Sequence, residues 1–392
     1  MRSSVVELGI LTALGSLGCV GLLEGCGFSS PPCESFALQF ATCPLVFNDE
    51  LTLEGMLTYD TSKHELSVNG AIMPVTQMTI ATHAGEVDAI VVHNVRLTTG
   101  SQLRAVGPMP FAIVASGSIT LEDGASIDVG NGGAGALPAC ANPPILGGDS
   151  TGGGAGGGGG GYGTAGGAGG DGNGNRNGQP SDITKGGTGG EAVAMPMGPV
   201  GGCPGASGGK GLSVNGPVGP GGLGGLGGGA LYLLAADRIE LGNMAVLTAG
   251  GGGGHGGGKD SSSLNSGGGG GGSGGMILLE SPHIIGPQAQ VVANGGGGGE
   301  GADIDTNYPF TPHAGKDGKN GLPSTSHAPG GVGGASNGAD GGRGGSLEGP
   351  EGEAGAAVLD SGGGGGGGGV GFIHIVSSAS DIKLGTVSPA PQ

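Results

Sequence analysis

Tryptophan is absent from this 392-residue sequence, and its 4 tyrosines and 7 phenylalanines leave few side chains able to stack on a sugar or a base. Charge is also scarce, at 11% of residues. The 31 acids against 13 bases give a net charge of -18, which repels phosphate backbones and anionic membrane surfaces. Nucleic acid is therefore not an expected partner. Beyond the N-terminus no stretch holds a helical period, so helical folds find no support. The 6 cysteines form neither a CxxC pair nor a cluster with histidine, which argues against a zinc site.

Glycine is what the chain has instead. There are 105, more than a quarter of all residues, and only 14 of them fall within the first 130 positions. A residue without a side chain contributes nothing to a core, so the expected core is thin. Apolar material is confined to short segments. Four of these share one layout: "FAIVASGSITLEDGASIDVGNGG" from Phe111, "LYLLAADRIELGNMAVLTAGGGGG" from Leu231, "MILLESPHIIGPQAQVVANGGGGG" from Met276 and "FIHIVSSASDIKLGTVSPAPQ" from Phe372. Each has an apolar strand, a polar break, a short strand, another break and a third short strand. In the first copy Ile113, Ile119, Leu121, Ile127 and Val129 are expected to point inward, with Leu233, Ile239, Leu241, Val246 and Thr248 matching them in the second. "VHNVRLTTGSQLRAVG" from Val92 reads as a preceding coil.

One such copy cannot bury its apolar face alone, whereas stacked copies pair every strand with its equivalent. The expected fold is all-β: a right-handed parallel β-helix, or β-solenoid, with long glycine-rich insertions. A β-sandwich is the alternative, since it too uses many short alternating strands. The expected organisation is a signal peptide over 1–25, an N-terminal β region over 26–87 and coils over 88–392, interrupted by inserts at 131–229, 250–274 and 295–370. Ordering the backbones of those inserts costs on the order of 100 kcal/mol with no side-chain burial in return. Either they stay flexible, or they pack side by side as polyproline-II-like strands in a polyglycine-II-like arrangement. Runs such as "GGGAGGGGGGYG" show no three-residue period, which excludes a collagen triple helix.

The N-terminus begins with Arg2 and continues into an uncharged run from Leu8 to Leu23, the form of a secretory signal. The run ends in Leu23-Glu24-Gly25-Cys26, which resembles a bacterial lipobox, although Glu24 replaces the small uncharged residue usual there. That resemblance implies lipidation of Cys26 and anchoring at the outer membrane. Removal of the signal leaves Cys33, Cys43, Cys140 and Cys203, expected as disulfides in an oxidising compartment. Cys33 and Cys43 are near enough to close a small loop, and Cys140 and Cys203 flank a glycine-dominated segment.

The layout of strand followed by polyglycine resembles uncharacterised glycine-rich secreted proteins of bacteria. It is similar to the glycine-repeat regions of the PE-PGRS group without that group's helical N-terminal domain. Polyglycine bundles also occur in springtail antifreeze proteins and phage tail adhesins. What the resemblance implies is a β-solenoid bearing polyglycine and a place at the bacterial surface.

Catalytic motifs do not survive inspection. "GASGG" at Gly205, "GGSGG" at Gly271 and "GASNG" at Gly334 fit G-x-S-x-G, yet none joins a strand to a helix as a nucleophile elbow must. "GASGGKG" has Gly211 where a phosphate loop needs Ser or Thr. The acids Glu122, Asp128, Asp237, Glu240, Glu280 and Asp381 share no common position across the copies. Calcium is the one cofactor with a candidate site: Asp303, Asp305 and Asn307 alternate as in calcium loops, though Tyr308 and Ala314 stand where an EF-hand has Gly and Glu. The expected protein is a non-enzymatic structural or adhesive component of the cell envelope, with envelope or extracellular polymers as partners. A carbohydrate-active β-helix enzyme and a calcium- or ice-binding module are the alternatives.

Overall fold

The computed structural model describes residues 37, 39–43, 45–47, 50–173, 183–212, 219–258, 265–304, 312–333, 338–358, 361–378 and 382–392. These residues form no helix; the structure is all-β with mixed sheets. Its strands fall into three rows. In the first row Gly85–Val92, Phe111–Ala115, Ala230–Ala235, Met276–Glu280 and Phe372–Val376 pair in parallel, with Ile90, Ile113, Leu233, Leu279 and Ile375 in register. A second row aligns Leu51, Val95, Ile119, Ile239 and Ile284. The third aligns Leu57, Leu103, Ile127, Leu247, Val291 and Val387. The ten-residue strand His283–Val292 belongs to both later rows, and Lys383–Ser388 follows it with a register shift between Gly286 and Gln290.

Alternation along each strand decides what faces the core. Ile113, Ile119, Leu121, Ile127 and Val129 are fully buried, as are Leu233 and Ile239. The expected inward positions Val246 and Thr248 are corrected by one residue. Leu247 and Ala249 are the buried pair, while Val246 and Thr248 are half-exposed. In the run Ala245–Ala249 only Thr248 is polar and Val246 is as apolar as Leu247, so composition alone does not fix its face. The stacked turn does: Gly124 N–H donates to the Asn243 carbonyl at 2.8 Å, which sets Val246 opposite Ser126.

Among the described residues, antiparallel pairing is found in the N-terminal part of the two large sheets and, in the inserts, in two two-residue pairs and the isolated bridges Gly211–Gly219 and Ser346–Gly349. Strand Met56–Asp60 turns back through Glu65–Val68 and Ala71–Met73, and Gln77–Thr82 covers the edge of Gly85–Val92. The parallel ladders themselves begin at Glu50, ahead of residue 88. Strands "ALYLLA" and "MILLE" are buried along their whole length, the mark of a parallel row covered on both faces. Phe40, Leu45 and Phe47 provide the outer cover, Phe40 meeting Tyr232 edge-on at 6.1 Å.

The rows also place the glycine. Each of the three long inserts leaves after a third-row strand, at Val129, Ala249 or Ala293, and returns at a first-row strand, at Ala230, Met276 or Phe372. Because these departure and return points stack in register, all three inserts emerge at one corner and lie against one another.

Candidate functional site: the glycine bundle and its borders

At that corner the glycine segments form a bundle held by backbone hydrogen bonds. Segment 265–275, buried throughout, lies at its centre. Around it, Gly157 N–H donates to Gly268, Gly222 to Gly267 and Gly296 to Gly272, each at 2.9 Å, while Gly267, Gly268 and Gly269 donate to Gly209, Gly363 and His255 at 2.8 to 2.9 Å. The surrounding segments bond to each other as well, closing the ring: Ala206 to Gly158, Gly205 to Gly225, Gly252 to Leu226, Gly254 to Gly297, Gly368 to Gly296 and Gly366 to Gly157. A buried backbone amide needs a partner, and neighbouring segments supply one to every residue from Gly267 to Gly275.

The bonds recur every third residue, as in Gly154 to Asn265, Gly157 to Gly268 and Gly160 to Gly271. This is the repeat of a polyproline-II helix, which has three residues per turn. A Cβ at Gly267 or Gly270 would overlap the carbonyls of Ala155 and Gly158, at Gly268 or Gly271 those of Gly299 and Gly296, and at Gly269 or Gly272 those of Leu223 and Leu226. All of these fall well inside 3.0 Å, a separation that Cβ atoms essentially never reach. Three directions are thus closed in turn, which is why the central run is unbroken glycine.

At the periphery one direction opens, and side chains return at that spacing. Lys185, Thr188 and Glu191 are exposed with buried glycines between them; so are Pro220, Leu223 and Leu226. The outer segments therefore carry the three-residue period that the central runs lack. Acidic and amide side chains also cap outward N–H groups: Gly256 donates to Asp317 Oδ1 and Gly253 to Asn320 Oδ1 at 2.9 Å, and Lys210 to Asp149 Oδ1 at 2.7 Å. Asp171 accepts from Gly186 N–H at 3.0 Å and Lys185 Nζ at 2.6 Å. Burial pushes its carboxyl up, but these donors outweigh it and hold it below the usual range. Part of the acid excess therefore supplies acceptors to a surface of backbone donors.

The bundle joins the rows through a small apolar cluster of Tyr162, Cys203, Ala230, Met276 and Phe372. Tyr162 meets Phe372 edge-on at 4.9 Å and donates its hydroxyl to the Val200 carbonyl at 2.8 Å; burial pushes the phenol's pKa up. Cys140 and Cys203 form a disulfide beside it, with Cα atoms 5.8 Å apart. Cys43 is also disulfide-bonded. Cys26 and Cys33 lie outside the described residues, as does the signal stretch.

Of the three calcium candidates, Asp303 is described and Asp305 and Asn307 lie outside the described residues. Asp303 is buried and its backbone pairs with His313. Nearby Glu300 is 2% exposed, and its Oε2 accepts Lys316 N–H at 2.9 Å. Burial, reinforced by the charges of Asp340 and Asp303, raises the Glu300 pKa. Among the described residues no group of three His, Cys, Asp or Glu side chains converges as a metal site.

Three acids on the strand rows, Glu122, Asp128 and Asp237, are tied to arginines. Arg96 Nε and Nη2 both donate to Glu122 Oε1, while Oε2 accepts from Thr99 N–H at 2.8 Å, and these bonds lower the Glu122 pKa. Asp128 pairs with Arg104 at 2.5 Å. Asp237, bonded to Arg238 and Ser118 at 3.0 Å, is lowered too. Glu240 stands in register with Thr120 and Ile285, in a column without a second acid. Glu280 is buried on the outer face of the first row and accepts from the Tyr232 hydroxyl; Asp381 lies outside the described residues. One further buried acid, Asp88, points into the core, its Oδ1 3.0 Å from His64 Nδ1.

An open groove of ≈ 790 Å³ on the bundle is lined by His327, Asp340, Arg343, Glu348 and Glu353. His327 Nδ1 donates to the Gly344 carbonyl at 3.0 Å, which fixes the ring against the groove wall. No helix among the described residues is long and apolar enough to cross a membrane.

Strand rows and glycine bundle together define an all-β protein in which side-chain packing holds the rows and backbone hydrogen bonds hold the bundle. No family, curated protein or solved structure matches the chain.

Proposed function

We propose that the chain is an exported, non-enzymatic component of the bacterial cell envelope, lipid-anchored through Cys26. In this reading a right-handed parallel β-helix carries a polyglycine-II-like bundle as a structural or adhesive surface towards envelope or extracellular polymers. The parallel in-register rows support the β-helix over the sandwich, because facing antiparallel layers would not bring Ile113, Leu233 and Leu279 into one column. The observation that carries the functional reading is the bundle itself: a block whose hydrogen bonds are spent on its own cohesion and whose outer columns present spaced side chains. Rigidity in such a block suits a spacer or contact surface. The arginine-tied acids of the rows favour this reading over a polysaccharide-cleaving one, since a general acid needs a carboxyl with a raised pKa, and Glu122 and Asp237 are lowered. The Cys140–Cys203 disulfide is compatible with export.

Metabolic labelling with palmitate, in the wild type and in Cys26→Ser, tests the anchor. Label in the membrane fraction that disappears in the variant is the expected result. Equal label in both, or an intracellular product with reduced cysteines, would remove the envelope assignment.

A further inference from the structure

We infer that the side chains spaced along the outer glycine segments are guards that hold the bundle to one chain, and that each guarded flank is a latent docking face for the glycine segments of a second copy. The central run 267–272 shows what the lattice accepts where it is closed on all sides: glycine at every position, because a Cβ in any of three directions would overlap a neighbour's carbonyl oxygen. The converse applies at the rim, where a Cβ pointing outward occupies the space that a further segment's backbone would need. Such Cβ atoms sit at every third position of the segment bearing Lys185, Thr188 and Glu191, all exposed, while Gly187 and Gly190 between them are buried. Those two glycines already donate inward, to Gly156 and Gly159 at 2.9 Å. What faces solvent is a column of side chains on a backbone that otherwise fits the lattice.

The inner segments are nearly free of charge, so nothing in their chemistry distinguishes a chain's own glycine segment from a copy's. An unguarded flank is thus the bundle's counterpart of an open sheet edge, which natural sheets blunt with charged residues. This inference concerns assembly and goes beyond the envelope role proposed above.

The test compares two triple variants of the full chain by sedimentation over a concentration series. Lys185→Gly/Thr188→Gly/Glu191→Gly removes the Cβ atoms; Lys185→Ala/Thr188→Ala/Glu191→Ala removes charge and length but keeps them. The glycine variant is expected to show at least a twofold higher weight-average mass than wild type at the same concentration, and the alanine variant the wild-type mass. Amide exchange at Gly187 and Gly190 checks that the flank stays folded. A glycine variant that sediments like wild type overturns the inference. So does equal association of the alanine variant, because charge rather than the Cβ would then be the guard. Should the glycine variant lose protection at Gly187 and Gly190, Asp340→Gly/Arg343→Gly repeats the comparison on a second flank. Loss of structure there as well would mean that these side chains stabilise their own segments, and the guard role fails.

Discussion

The strand rows and the glycine bundle are built on opposite rules. In the rows, identity lies in the side chain: Ile113, Leu233 and Leu279 stack because each offers apolar area, worth roughly 1.5 to 3 kcal/mol when a side chain of this size is fully buried. In the bundle, identity lies in the absence of a side chain, and cohesion comes from hydrogen bonds repeated every three residues. The rows tolerate exchange of one apolar residue for another of similar volume. In the bundle the run 267–272 admits only glycine, and buried positions elsewhere, such as Ala155 and Ser273, hold small side chains. The two parts meet at a seam, the Tyr162–Phe372 cluster with its disulfide, and again where Ser388 accepts from Leu347 N–H and Asn294 donates to the Leu322 and Ser324 carbonyls.

This contrast is open to measurement. The largest effect is expected in the bundle, where Gly270→Ala places a methyl against the Gly158 carbonyl; a loss of about 5 kcal/mol in denaturant unfolding, or separate melting of the bundle, is the expected outcome. A loss below 1 kcal/mol would mean that the segments are loosely packed. Next comes the seam: Cys140→Ala/Cys203→Ala opens a bridge with a sequence separation of 63, expected to cost about 4 kcal/mol by chain entropy. Amide exchange should then rise in segment 200–211 before it rises in the rows.

In the rows themselves, Leu233→Ala leaves a cavity and should cost about 3 kcal/mol without altering exchange in segment 265–275. The smallest effect has the opposite sign. Glu300 has its pKa raised in the folded protein, so it binds a proton more tightly folded than unfolded, and its charge opposes folding at neutral pH. Glu300→Gln keeps an acceptor for Lys316 N–H and should raise the melting temperature at pH 7. The gain should shrink as pH falls through the raised value towards the ordinary 4.5 and vanish below it, read from melting curves across pH 3 to 7.

Much of the row architecture was legible because burial leaves a pattern: apolar residues alternate, and the copies repeat that alternation at fixed steps. Legibility failed where neighbouring positions of opposite parity are both apolar, at Val246 and Leu247, and a hydrogen bond between stacked turns chose the face. The bundle was legible in composition and not in period. The eye goes to the longest run, and the longest runs lie inside, where three closed directions leave no position free to vary; the period is written only in peripheral stretches such as "KGGTGGE" and "PGGLGGL". Asp303 illustrates a further limit. Alternating acids in a glycine-rich stretch resemble a calcium loop, yet the Asp303 backbone pairs with His313 in a short antiparallel ladder and its side chain is buried, facts that the alternation alone does not carry.

The single corner through which every excursion leaves and returns separates two kinds of change. Lengthening or shortening an excursion by whole segments alters the width of the glycine block while the strands on either side keep their register. The chain can thus vary the reach and shape of one part of its surface through the length of simple sequence alone, with its apolar scaffold held constant.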